Sequence, residues 1–364
     1  MDPQIYKPLF LHFVVLLSLF SLPQSLPDKM NLSLKSNKGN VIWMISFVFI
    51  LWLGLRENNI AFGDTVNYTK EFLMMECTSQ YDIESDKAFY YIMSFFAKTG
   101  FGPHFFFLFV EFIYFAGTAI VVNKLFSNQP LLVFAVVLAA FSFYTYSVNG
   151  IRNGMACSLF LWMLVYVKER KWTWAVALGL FAINVHSSLY LVVAALLLAL
   201  YYKNTKVYVA GWLACIALSI VAGGVFETFF QTQGIIDTGK DAVYMSNDNA
   251  DMEMFSRTGF RFDFLLYSCV PILVGYYYVV KKHFEDEWYK VLLNTYITVN
   301  SVWVLVNRSW LSNRMAYLSW FMYGIVLMYP LVMNPYVKGR KKKVTLAVVG
   351  NAAFSYLMWI LGKY

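Results

Sequence analysis

The stretch HFFFLFVEFIYFAGTAIVVN, residues 104–123, is an apolar run of 20 residues with one charged side chain, Glu111. The hydrocarbon core of a bilayer is about 30 Å thick, and a helix crosses it with about 20 apolar residues. The run therefore predicts a membrane-spanning helix. A carboxylate inside such a helix needs a partner or a proton, and we expect Glu111 to make a structural hydrogen bond.

Apolar runs of this kind recur along the whole chain, which is 59% hydrophobic and only 14% charged. A soluble domain carries about 25% charged residues, so a soluble enzyme is excluded. Twelve candidate spans lie near 8–23, 41–55, 104–123, 130–147, 152–167, 172–186, 188–202, 207–226, 262–280, 288–306, 315–333 and 344–361. Because the runs are apolar on all sides, they predict helices and not a membrane barrel. The expected fold class is all-α: a single integral membrane domain over 1–364, built as a polytopic bundle of about 12 transmembrane helices.

Sequence motifs for nucleotide or metal chemistry are missing. The chain has no Walker loop, no dinucleotide fingerprint, no nucleophile elbow and no His-Glu-x-x-His. The four histidines are scattered, and no pair has the spacing of a helical zinc site. We therefore expect no cofactor and no metal.

The basic residues predict the orientation in the membrane. With the N-terminus outside, 17 of the 29 lysines and arginines fall in cytoplasmic loops. The long polar segments 56–103 and 227–261 then become outer loops, the first carrying an interfacial helix over 86–98. The net charge of +8 thus reflects topology, and nucleic acid is not expected as a partner. Residues 1–27 could instead be a cleaved signal peptide, and Met30 an alternative start, but no A-x-A-like cleavage site follows the first apolar run.

Arginine and lysine are distributed differently between the two faces. In the predicted topology 15 of 21 lysines are cytoplasmic, whereas six of eight arginines lie at or near outer helix ends. These six are Arg56, Arg152, Arg257, Arg261, Arg308 and Arg314. The planar guanidinium suits bidentate binding of phosphate or carboxylate, so the pattern indicates an anionic ligand. The alternative is that each arginine pairs with a loop acid or extends to lipid headgroups.

Arg152 lies in the polar break Asn149-Gly150-Ile151-Arg152-Asn153-Gly154 between two apolar runs. The distances from Arg152 to Lys168 and from Lys171 back to His186 are 16 and 15 residues. At 1.5 Å per residue these helices rise roughly 22–24 Å, which is less than a bilayer crossing. Arg152 and His186 are therefore predicted at a similar depth below the outer surface, where they indicate a polar functional site. A satisfied structural histidine is the alternative for His186.

Two groups of motifs carry a resemblance to a known family. Early in the chain, Arg56, Gly63-Asp64-Thr65 and Tyr68 form an Arg…Gly-Asp-x…Tyr pattern. This pattern resembles the signature of the EpsG family, the Wzy-like polymerases of bacterial surface polysaccharides. The stretch Asn149-Gly150-Ile151-Arg152 followed by Ala156 is similar to its Asn-x-x-Arg-Gln-x-x-Ala segment, with Asn153 in place of glutamine.

The second group lies further along the chain. His186-Ser187 resembles the family's Phe-His-x-Ser ending, although Asn184-Val185 precedes it. Arg314 and Tyr317 resemble a late Arg-x-x-Tyr feature. The resemblance covers roughly residues 5–335, nearly the whole chain.

The resemblance implies a GT-C-like membrane glycosyltransferase in the bacterial cytoplasmic (inner) membrane. It implies undecaprenyl-diphosphate-linked glycans as donor and acceptor, joined on the outer face into an exopolysaccharide, O-antigen or capsule. Membrane lipid, a chain-length regulator and a flippase are the implied partners.

In such a reaction the leaving diphosphate needs positive charge. The candidates are Arg152 and Arg314, with Arg308 or Arg56 assisting. The acceptor hydroxyl must lose a proton, for which His186 and Asp64 compete. Asn149 would orient Arg152 or the sugar, while Tyr68 and Tyr81 are candidates to position the sugar and Tyr317 joins the substrate-binding set.

Two other functions fit the same pattern of spans and charges. A flippase or transporter of lipid-linked oligosaccharides would also place charge within broken helices, but the charges gather at one face and no internal repeat relates the two halves. A glycan ligase of the same architecture is the second alternative.

Overall fold

The computed structural model describes residues 2–78, 83–232, 260–308 and 312–362, apart from the side chains of 227–232 and 312. Helices make up 77% of the structure, and the described residues form no β-strand. The all-α fold class is therefore confirmed.

The described ranges contain sixteen α-helices. They are α1 (Pro3–Ser21), α2 (Gly39–Gly54), α3 (Thr65–Cys77), α4 (Lys87–Lys98), α5 (Pro103–Leu125), α6 (Pro130–Leu138), α7 (Phe143–Val148), α8 (Ile151–Lys168), α9 (Trp172–Val185), α10 (Leu189–Tyr201), α11 (Thr205–Thr232), α12 (Phe262–Tyr276), α13 (Glu287–Leu305), α14 (Ser312–Trp320), α15 (Tyr323–Val332) and α16 (Arg340–Ile360).

Six segments of the described chain are long and apolar enough to cross a membrane. They are Pro3–Ser21, Pro103–Leu125, Thr205–Phe226, Phe262–Lys281, Asn313–Val332 and Arg340–Ile360. Helices α2, α9 and α10 are apolar but shorter. The structure thus supports a membrane-embedded protein. Each predicted apolar run is helical, while the count of about twelve spans stays a prediction.

The predicted run 130–147 is divided into α6 and α7, because side chains of α16 satisfy backbone carbonyls near the division. Asn351 Nδ2 donates to Val136 O at 2.9 Å, and Ser355 Oγ donates to Ala139 O at 2.7 Å. Side chains that bond these carbonyls allow the intrahelical ladder to stop. The break lets α7 end at Val148, directly before the polar residues Asn149 and Gly150 that lead into α8.

The chain divides into two compact units, residues 1–190 with 328–364, and residues 191–327. In the first unit, α5 packs against α2 and α8, and α8 packs against α9. Gly117 of α5 permits this close approach, since a Cβ there would collide with the backbone oxygen of Ser158 on α8. Ser158 Oγ also donates to Tyr114 O at 2.6 Å. These contacts fix the helix that carries Arg152.

Helices α3 and α4 lie in the segment that was predicted as an outer loop with a helix over 86–98. They pack against each other, and α4 also packs against α5 and α9. Helix α4 buries Phe89, Met93 and Ala97. The segment just before α4 is thereby placed next to the end of α9.

In the second unit, α11 packs against α13 and α13 against α14. Asn300 links polar side chains of this interior: Trp212 Nε1 donates to Asn300 Oδ1 at 2.9 Å, and Asn300 Nδ2 donates to Ser319 Oγ at 3.0 Å. Helix α11 runs to Thr232 and is kinked at Ala222. Most of the predicted outer loop 227–261, residues 233–259, lies outside the described residues.

Candidate active site

A single buried carboxylate, Asp86, brings together two residues that the sequence singled out. Its Oδ2 accepts a hydrogen bond from Arg152 Nη1 at 3.0 Å and contacts His186 Nδ1 at 2.9 Å. Its Oδ1 accepts from the backbone N–H of Ser187 at 2.9 Å. The Asp86 side chain is only 3% exposed, against 21% for Arg152 and 19% for His186. We call Asp86, Arg152, His186, Tyr68 and Tyr90 the Asp86 cluster.

Arg152 lies in the first turn of α8 and is held on three sides. Its Nε donates to Tyr68 Oη at 2.9 Å, and its Nη1 donates to Tyr90 Oη at 3.3 Å. The two tyrosine rings flank the guanidinium at 5.6 and 5.7 Å. Among the described residues, Nη2 has no hydrogen-bond partner. One edge of the guanidinium is thus left for a ligand, while the rest fixes its orientation.

His186 follows the last residue of α9 and has an extended backbone, with φ −153° and ψ 121°. A carboxylate can only accept, so in the neutral ring Nδ1 carries the proton and donates it to Asp86. The lone pair then lies on Nε2, for which the described residues provide no partner. This arrangement of acid and imidazole is the one that makes histidine a general base.

Asp86 remains charged in this environment. Burial raises the pKa of its carboxyl, but the hydrogen bond from His186, the electrostatic interaction with that ring and the charge of Arg152 together lower this pKa by more than burial raises it. The net pKa of Asp86 therefore lies below its usual value. Tyr68 responds in the opposite direction: burial, opposed by the charge of Arg152, raises the pKa of Tyr68 to about 12. Its phenol therefore stays neutral beside Arg152.

Asn149 and Asp64 form a second contact next to the cluster. Asn149 Oδ1 accepts from the backbone N–H of Asp64 at 2.9 Å. Gly63 has a left-handed φ of 59°, and a Cβ there would collide with the Asn149 amide. Asn149 thus holds the backbone of the Gly63–Asp64 turn. The charge of Asp64 reaches Tyr68, whose pKa it helps to raise.

Arg56 lies apart from the cluster, in the interior of the first unit. It is 1% exposed and donates through Nη1 to Leu53 O at 2.7 Å and to Glu111 Oε1 at 3.2 Å. Glu111 also accepts from Ser147 Oγ at 2.8 Å. The predicted hydrogen bond of Glu111 is therefore present, and the guanidinium of Arg56 is occupied by protein groups.

The remaining predicted residues belong to the second unit. Arg308 is exposed, and its Nη2 donates to Ile220 O at 3.0 Å, beside the kink of α11. Arg314 is exposed in α14. Tyr317 is buried and contacts the Trp320 ring at 5.5 Å. Tyr81 and Arg257 lie outside the described residues.

Asp86 and Tyr90 are the site residues that sequence reasoning missed. Asp86 was assigned only to the start of an interfacial helix. One signal could have identified it: an arginine and a histidine predicted at a similar membrane depth favour a nearby counter-charge, and Asp86 is an acid at the start of the predicted interfacial helix 86–98. Over the described residues, no group of three or more His, Cys, Asp or Glu side chains is arranged to hold a metal ion.

A family model described as the EpsG family matches residues 41–363. The chain therefore belongs to the EpsG family, which supports a Wzy-like, polymerase-type membrane protein of polysaccharide biosynthesis. Comparison of the chain with curated proteins and with solved structures gives no match.

Proposed function

We propose that this protein is a polymerase that joins oligosaccharide repeat units linked to undecaprenyl diphosphate, on the outer face of the bacterial cytoplasmic membrane. We also propose that it has about twelve spans, a GT-C-like architecture and an N-terminus on the outer side. The observation that carries the proposal is the Asp86 carboxylate, which holds a histidine and an arginine side by side.

In the proposed reaction, the acceptor hydroxyl oxygen bonds to the anomeric carbon of the donor glycan. The bond from that carbon to the diphosphate oxygen breaks, and its electron pair stays on the lipid diphosphate. The hydroxyl proton passes to Nε2 of His186, while Asp86 holds Nδ1 and stabilises the imidazolium that forms.

Arg152 acts on the other half of the same step. Its open Nη2 edge donates to a diphosphate oxygen as charge develops there, and Tyr68 and Tyr90 keep the guanidinium from turning away. No nucleotide is needed, since the donor is already activated as a diphosphate. Arg314 and Arg308 are kept as proposed phosphate-binding residues of the second unit, with Tyr317 in the same set. Asp64 is the competing base.

The experiment uses a strain that lacks the gene, complemented with point variants, and measures polymer length on gels and protein abundance in membranes. We expect His186→Ala, Arg152→Ala and Asp86→Asn to abolish long polymer at normal abundance. Glu76→Gln is the matched control, because Glu76 is an exposed acid on α3. Long polymer from both His186→Ala and Arg152→Ala would exclude the proposal.

Two further measurements separate the alternative functions. Loss of a polymerase leaves single lipid-linked units on the outer face, whereas loss of a flippase leaves them on the cytoplasmic leaflet. Purified protein incubated with lipid-linked units alone should lengthen them, and a ligase that needs a different acceptor would not.

A further inference from the structure

Three consecutive residues just before the Arg152 helix are held by hydrogen bonds with α5 and with the segment 56–65. Ser147 Oγ donates to both carboxylate oxygens of Glu111 at 2.9 and 2.8 Å. Val148 O accepts from Thr65 Oγ1 at 2.8 Å and from Arg56 Nη2 at 3.4 Å. Asn149 Oδ1 accepts from the backbone of Asp64 at 2.9 Å. Residues 147–149, at the end of α7, are therefore firmly held.

Arg56 is the centre of these bonds. Its Nε and Nη2 donate to Thr65 Oγ1 at 3.3 and 3.2 Å, and its Nη1 forms the ion pair with Glu111 at 3.2 Å. The two side chains of this ion pair are 0% and 2% exposed. A guanidinium in this position has no face for a substrate. We call Arg56, Thr65, Glu111 and Ser147 the Arg56 network.

The two ends of the Arg56 network lead to the Asp86 cluster. Thr65 begins α3, and Tyr68 lies one turn later on the same helix. Residues 147–149 end α7 and are separated from α8 by Gly150 alone, and Arg152 is in the first turn of α8. Tyr68 and Arg152 then meet at 2.9 Å. A network that fixes the starts of both helices also fixes the distance between these two side chains.

We propose that Arg56 is a positioning residue, whose buried guanidinium fixes Thr65 against residues 147–149 so that Tyr68 and Arg152 meet beside Asp86. The inference rests on the proposed function, since it assigns Arg56 to the placement of a diphosphate-binding side chain. It also gives Arg56 a role different from direct contact with the diphosphate, the role expected from sequence.

Thr65 offers the sharpest test, because its hydroxyl can be removed with little change of shape. Purified protein is assayed with lipid-linked units, and turnover is expressed per folded molecule. We expect Thr65→Val to lower kcat by about 10- to 100-fold, since a misplacement near 1 Å has this effect on a reacting group. Thr65→Ser should restore kcat. Thr69→Val is the matched control, because the Thr69 hydroxyl bonds only within α3.

A second variant separates positioning from stability. Removing one partner of a buried ion pair destabilises a fold, whereas replacing both by apolar residues is often neutral. Arg56→Met combined with Glu111→Leu should therefore recover abundance and thermal stability, while kcat stays low because Val148 has lost the Arg56 network. Full kcat in this double variant or in Thr65→Val would overturn the inference. A raised KM at unchanged kcat would also overturn it, since it would indicate substrate contact.

His186→Ala is measured in the same assay, so that the polymerase function and the positioning role of Arg56 are tested independently. If the wild-type protein does not lengthen lipid-linked units, or if His186→Ala and Arg152→Ala both keep their activity, the proposed function is wrong. If His186→Ala is inactive while Thr65→Val turns over at the normal rate, the proposed function stands and only the positioning role of Arg56 is wrong.

Discussion

Asp86 has a left-handed backbone, with φ 52° and ψ 40°, at the residue before α4. Aspartate tolerates this region better than most residues, at a cost of roughly 1–2 kcal/mol. Three hydrogen bonds to its carboxylate offset this cost. The conformation turns the carboxylate toward α8 and α9, so its geometry is set by the backbone as well as by its partners.

The lowered pKa of Asp86 predicts a specific response to acid. A carboxyl with a pKa below its unfolded value of about 3.9 stabilises the fold above that value, and this contribution is lost as the pH falls through the folded pKa. We expect the wild-type melting temperature to fall below about pH 4 more steeply than that of Asp86→Asn. Thermal unfolding in detergent measures this, and parallel curves at every pH would contradict it.

Gly63 allows a prediction that separates backbone strain from a steric collision. Gly63→Ala places a Cβ at φ 59° and against the Asn149 amide. We expect the free energy of unfolding to fall by about 2–3 kcal/mol, because the backbone is strained and Asn149 is displaced. Gly100→Ala is the matched control, because Gly100 has φ 76° and no neighbour within 4 Å. Equal losses in the two variants, measured by thermal unfolding, would show that the Asn149 contact contributes nothing.

The sequence predicts the positions of some site residues and not of others. The placement of Arg152 near His186 followed from two short helices that start from the same membrane face, which is a matter of counting residues. Asp86 could not be placed in this way, because a loop has no fixed rise per residue. The partner of Arg56 was also hidden, since Glu111 is 55 positions away along the chain.

At the scale of helices, the contact between α5 and α8 depends on a small residue. The Gly117 position faces the Ser158 backbone without room for a methyl group. We expect Gly117→Ala to destabilise the first unit by about 1–3 kcal/mol, because α5 and α8 must separate. Gly211→Ala on α11 is the control, since nothing lies within 4 Å of it. Membrane abundance and melting temperature are measured, and equal values for the two variants would contradict the prediction.

Helix boundaries were predictable where a polar break coincides with a loop, and not where another helix causes the break. The apolar runs at 152–167 and 172–186 correspond closely to α8 and α9. The division between α6 and α7 depends on Asn351 and Ser355, which come from the far end of the chain. No pattern within the run itself contains that information.

For the whole molecule, the structure distinguishes among the arginines that the sequence predicts near outer helix ends. Arg261 pairs in bidentate fashion with Asp263 at 2.9 Å, and Arg56 pairs with Glu111. From sequence, pairing with an acid is the alternative to binding an anionic ligand. Arg56 and Arg261 follow this alternative. Arg152 also meets an acid but keeps one edge open, so it carries most of the argument for an anionic ligand.

The four cysteines allow the proposed orientation to be tested without disturbing the site. Cys77 is exposed on α3, in the segment proposed to face outward, whereas Cys157 is buried and Cys215 and Cys269 are partly buried in apolar helices. We expect a membrane-impermeant maleimide to label the protein in right-side-out vesicles, and Cys77→Ser to abolish this labelling.

A cysteine on the opposite face completes this test of orientation. Lys342 is exposed near the start of α16, in the basic segment proposed to be cytoplasmic. Lys342→Cys in the Cys77→Ser background should be labelled only in inside-out vesicles. Asp86, Tyr68 and Tyr90 lie in the same segment, 56–103, as Cys77, so labelling of Cys77 only from the inside would move the site to the cytoplasmic face. A donor presented on the outer leaflet could then not reach His186, and the proposed reaction on the outer face would be wrong.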